Sequence, residues 1–162
     1  MLASLFQNSS SIDQSIKTPY ILVVLPKLEK IPKKYNVPGE DSLEKLLERR
    51  NMILTELSRT PVSANLANGE LCSWIMVDTD EPVFSQQTCI RKALKLLLIE
   101  NPSEIHITVY GTTHQRKSFS ELSVYVAWIN GAALPVRKNK PVRTSLAKIF
   151  LYGYQDEQNF TL

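Results

Sequence analysis

The sequence predicts an α/β fold with three layers, αβα, built around a mixed and mostly parallel sheet. Three observations carry that prediction. Apolar runs of strand length alternate with segments whose apolar residues recur at helical spacing, in the order strand, helix, hairpin, helix, strand, helix, strand. The run at residues 20–25 is continuously apolar rather than alternating, as a strand buried on both faces requires. Asn68-Gly69 separates two further strand-like runs and adds an antiparallel hairpin, which makes the sheet mixed.

The elements follow in order. Residues 8–17 are polar and rich in Ser, with Gln14 among them, and residues 1–18 as a whole read as an arm before a single α/β domain at 19–154. Pro26 closes the first strand. Asp41 and Glu44 have capping-box spacing, and Leu43, Leu46, Leu47, Leu54 and Leu57 predict one amphipathic helix after it. The hairpin strands are residues 62–66 and 71–77, joined by a type I′ turn, for which both Asn68 and Gly69 must take positive φ. Ser85 is placed to cap the next helix, whose stripe is Ile90, Ala93, Leu94, Leu97 and Leu98 and whose end is Asn101-Pro102. Residues 105–110 alternate and stop at Gly111, a strand with one face more polar than the other. Ser118 opens a helix with Leu122, Tyr125, Val126, Ile129 and Ala133 on one face, ending near Pro135, and residues 146–152 form the last strand.

With 162 residues, 43% of them hydrophobic and 22% charged, the chain has the size and composition of one domain with its own core. Cys72 and Cys89 are too few for a disulfide framework and stand in no metal-binding spacing, which fits a reducing cytoplasm. The apolar residues 1–6 have no basic residue before them, and no apolar run is long enough to span a bilayer, so neither export nor membrane insertion is expected.

Signals for chemistry are sparse. The pair Asp78 and Asp80, at the end of an apolar strand, has the shape of the metal-holding motif of haloacid-dehalogenase-like phosphatases, but Glu81-Pro82 follows where that family has Gly-Thr. The plainer reading is a polar turn leaving a strand. His106 and His114 are the only histidines and lack ligand spacing, and Cys89, near a helix start, has no sequence-placed base. There is no Gly-rich phosphate loop and no nucleophile elbow. The net charge of +3 is small, but residues 122–155 hold no acidic residue, and Arg137, Lys138, Lys140, Arg143 and Lys148 fall within that stretch. The basic stretch 137–148 reads as a solvated loop, with contact to phosphates or to an acidic neighbour as the alternative.

The succession Arg91-Lys-Ala-Leu94, residues 105–111, Val126-Ala-Trp-Ile-Asn-Gly-Ala-Ala-Leu134-Pro and Leu146-Ala-Lys-Ile-Phe-Leu-Tyr152-Gly resembles the amino-terminal domain of the leucyl (cytosol) aminopeptidase family. The resemblance covers about residues 57–154. It implies a macro-domain-like fold and a parent enzyme that releases amino acids from peptide amino termini with two divalent metal ions, zinc or manganese. It further implies a carboxy-terminal catalytic domain as partner, a linker to it beginning at residues 155–162, and homo-hexameric assembly. The family's metal-ligand segments have no counterpart here, so no catalytic, cofactor or metal residue carries over. Some members bind DNA through this domain, which would place nucleic acid at Arg137, Lys138, Lys140 and Arg143. The expected function is thus non-catalytic, positioning or restricting access to a catalytic domain. The alternative is a free-standing macro-like module for a nucleotide, ADP-ribose or nucleic acid, which the absence of a Gly-rich cradle disfavours.

Overall fold

The computed structural model describes residues 2–14, 18–132, 145–156 and 160. Six strands form one sheet: β1 (Ser4–Asn8), β2 (Tyr20–Pro26), β3 (Val62–Asn65), β4 (Leu71–Val77), β5 (Glu104–Val109) and β6 (Lys148–Tyr152). Their order across the sheet is β1-β6-β5-β2-β4-β3, and every neighbouring pair is parallel except β3 with β4. Three helices complete the fold, α1 (Glu40–Arg49), α2 (Val83–Leu98) and α3 (Thr113–Gly131).

The layers follow from the strand periodicity of two. Leu22 and Val24 of β2, with Ile75, Ile105, Ile107 and Ile149, point into a core closed by α2 and α3. Ile21, Val23 and Leu25, with Trp74 and Met76, point the other way and are closed by Leu43 and Leu47 of α1 and by Leu57. The continuous apolar run of β2 is thus explained by burial on both faces. The three-layer αβα fold with a mixed, mostly parallel sheet is the one the sequence predicts.

Several local expectations are corrected. Within residues 1–18, read as an arm, Ser4–Asn8 form an edge strand in register with β6, anchored where Trp128 Nε1 donates to the Ala3 carbonyl at 2.9 Å. The leucine-spaced helix ends at Arg49, and Leu54 and Leu57 belong to a separate 3-10 turn, Leu54–Ser58. Asn51 takes a left-handed φ of 55°, and the bonds Met52 N to Leu47 O (2.9 Å) and Asn51 N to Glu48 O (3.1 Å) close α1 as a Schellman motif. The expected Asp41–Glu44 box is not the start of α1. Gly39 is its N-cap, at φ 65°, without a side-chain cap, because a Cβ there would meet Leu66 and Trp74.

The hairpin is present but its turn differs: only Gly69 has positive φ, and Gly69 N donates to Leu66 O while Leu66 N donates to Glu70 O. That is a three-residue loop with a left-handed third residue rather than a type I′ turn. The second helix begins at Val83 after Pro82, so Ser85 is interior and caps nothing. Its predicted stripe, Ile90, Ala93, Leu94, Leu97 and Leu98, is the buried one. The third helix begins five residues before Ser118, under a capping box made by Thr112 and Gln115. Its buried residues include Phe119, Ser123, Val126 and Ala127, whereas Tyr125 and Ile129 face solvent. Ala133 lies outside the described residues. Leu146 precedes β6 and packs on Gly131, where a Cβ would come within 2.9 Å of it.

Candidate functional site

The carboxyl end of the sheet holds the pair singled out for phosphoryl chemistry. Asp78 leaves β4 beside Lys27, which leaves β2, because the two strands are parallel neighbours. Lys27 Nζ lies 3.5 Å from Asp78 Oδ2, and Asp78 Oδ1 accepts a bond from Asp80 N at 3.0 Å. The first carboxylate is therefore engaged by its own turn and by one exposed lysine, an arrangement that stabilises a strand exit. Among the described residues no group of three or more His, Cys, Asp or Glu stands close enough to hold a metal ion.

The two thiols are buried to different degrees and neither is activated. Burial pushes the Cys72 thiol well above its ordinary value, with the Glu70 charge adding to the effect. Cys89 donates to the Ser58 carbonyl at 3.2 Å, and burial raises its pKa too, against the opposing effect of Lys92. Both remain protonated thiols at neutral pH, in keeping with packing roles.

A more connected polar group stands on the half of the sheet face beyond α1. His106 of β5 stacks on Phe150 of β6, with ring centroids 4.6 Å apart, and Phe150 stacks on Phe6 of β1 at 5.0 Å. This ladder is one rung of the sheet, since His106 faces Phe150 and Phe150 faces Phe6 in the strand register. His106 Nε2 lies 3.3 Å from Glu104 Oε1, and Nδ1 lies 3.0 Å from the Tyr152 hydroxyl. A carboxylate only accepts, so Nε2 carries the proton and Nδ1 accepts from Tyr152. Burial lowers the His106 pKa more than Glu104 raises it, and burial followed by the Glu104 charge raises that of Tyr152. The array is a Glu–His–Tyr chain satisfied within itself, with a neutral imidazole between a carboxylate and a phenol.

The alternation at residues 105–110 already placed His106 opposite Ile105 and Ile107. Its link to Tyr152 spans 46 residues and has no local signal. Of the basic residues proposed as an interaction loop, Arg137, Lys138, Lys140 and Arg143 lie outside the described residues. Lys148 is the first, exposed residue of β6, in register with Ser4 and Glu104, so it belongs to a strand and not to the loop.

No family model matches the sequence, and no curated protein does. Among solved structures, a variant of tomato leucine aminopeptidase superposes with a TM-score of 0.52 at 8% identity. The match covers 94% of this chain and 33% of that one. The likeness is one of fold. This chain spans about a third of the length of the tomato enzyme, and nearly all of it takes part in the superposition. Among the described residues no helix is long and apolar enough to cross a membrane.

Proposed function

We propose that the chain is a non-catalytic amino-terminal domain of a leucyl aminopeptidase, which positions or restricts access to a separate catalytic domain. The observation that carries this reading is the superposition of nearly the whole chain on one third of a leucine aminopeptidase. The local chemistry supports it. Asp78 is tied into a turn, both thiols are held protonated, and the Glu104–His106–Tyr152 chain is satisfied within itself.

On this reading the reaction, release of the amino-terminal residue of a peptide with two divalent metal ions, zinc or manganese, belongs to the partner domain. The described residues do not fit such a centre, so no step is assigned to them. A cytoplasmic location, homo-hexameric assembly and nucleic acid as a further ligand are parts of the same proposal. The test uses antibody raised against this chain to purify the native protein. The native protein should hydrolyse a leucine anilide in a chelator-sensitive manner while the 162-residue chain alone does not. Turnover by the chain alone, or a native protein without that activity, would overturn the reading.

A further inference from the structure

A cavity of about 470 Å³ opens at the amino-terminal end of the parallel strands, between the hairpin loop and the first turn of α1. Its walls include Thr18, just before β2, and Glu70, just before β4, together with Asn68, Gln14 and the α1 residues Glu40 and Asp41. Glu70 is only 6% exposed, and its Oε1 has no hydrogen-bond partner. Leaving a buried carboxylate oxygen unpaired costs on the order of several kcal/mol, so the position favours whatever brings it a charged donor.

The rest of the wall points to the sign of that donor. Among the described residues lining the cavity none is Lys, Arg or His, while three are carboxylates. The positive end of α1 would oppose a cation, but Glu40 and Asp41 occupy its first turn and offset it. A metal ion would need several carboxylates converging on one point, and no such group exists among the described residues. The volume is instead that of a small organic molecule. Gln14, Thr18 and Asn68 supply neutral polar groups around the carboxylate.

We propose that this cavity binds an organic cation, with an ammonium or guanidinium group seated on the Glu70 carboxylate. The site lies at the opposite end of the strands from Asp78, near enough to His106 for the Glu70 charge to act on that imidazole, and stands whether or not the chain belongs to an aminopeptidase. Calorimetric titration of the chain with n-butylamine, n-butylguanidine and 1-butanol tests it and separates the two cation types. At least one cation should bind saturably with a Kd of about 1 mM, as expected for so small a ligand, and butanol should not. Glu70→Gln should weaken that binding at least about tenfold.

Amide shifts on titrating the unmodified chain, expected at Asn68, Glu70 and Asp41, keep the proposal testable if the variant fails to fold. Lys17 lies outside the described residues and is sequence-adjacent to Thr18, so Lys17→Met is titrated as well and should bind with unchanged affinity. Absence of saturable binding to either cation at about 50 mM, equal binding of butanol, or unchanged affinity in Glu70→Gln would each overturn the proposal. So would shifts confined to other residues, or binding that appears only in Lys17→Met, which would make this chain's own lysine the occupant.

Discussion

His106 illustrates how a single side chain acquires its properties from neighbours distant in sequence. Packed between Phe150, Tyr152 and Glu104, it is buried and its pKa is lowered. In the unfolded chain an imidazole titrates near about 6.5. Because the folded value lies below the unfolded one, the unfolded chain binds more protons in the interval between them, and stability rises with pH there. The contribution is full above about pH 6.5 and is lost as pH falls through the lowered folded value. Urea unfolding between about pH 7.5 and 5.5 should show a decline in stability of at most about 1.4 kcal/mol per pH unit. His106→Asn should flatten that decline. An unchanged slope in the variant would assign the pH dependence to other groups.

At the scale of elements, the stripes of α2 and the two-sided burial of β2 were legible in the sequence, because each depends on periodicity within one segment. The helix starts were not. Three plausible caps, Asp41, Ser85 and Ser118, are the second, third and sixth residues of their helices, and the N-cap positions belong instead to Gly39, Pro82 and Thr112. The difference has a direct consequence for α3. Thr112 accepts from Gln115 N at 3.1 Å and Gln115 Oε1 accepts from Thr112 N at 2.8 Å, so Thr112→Ala should cost about 1 kcal/mol. Ser118→Ala, inside the helix, should change stability by less than about 0.5 kcal/mol. Equilibrium urea midpoints of the two variants decide between the caps. The phase of the α3 stripe also misled, because that helix meets the sheet, α2 and the segment around Ala3 on different sides.

For the molecule as a whole, the largest departure is β1. Five residues with a short alternating pattern, Ser4–Asn8, carry little strand signal, yet they complete the sheet edge. Phe6 extends the aromatic ladder, Ser4 N donates to Ala147 O at 2.9 Å, and Ala3 O receives the Trp128 indole N–H. Deleting residues 1–10 should therefore destabilise the domain by at least about 3 kcal/mol, from lost ladder bonds, lost burial and an unpaired indole N–H. Thermal unfolding of the truncated chain checks this. A melting temperature equal to that of the full chain would show that the segment behaves as a loose arm after all.

By itself, the sequence determined the fold class, the buried stripe of α2, the hairpin's position and the lack of the known catalytic motifs, because each is written in spacing along one segment. The tertiary structure alone decided the sheet order, the recruitment of β1, the His106–Tyr152 link and the cavity around Glu70. Those depend on which strands become neighbours, and pairing free energy is shared among residues as far apart as Ala3 and Trp128, with no trace in the local pattern of either.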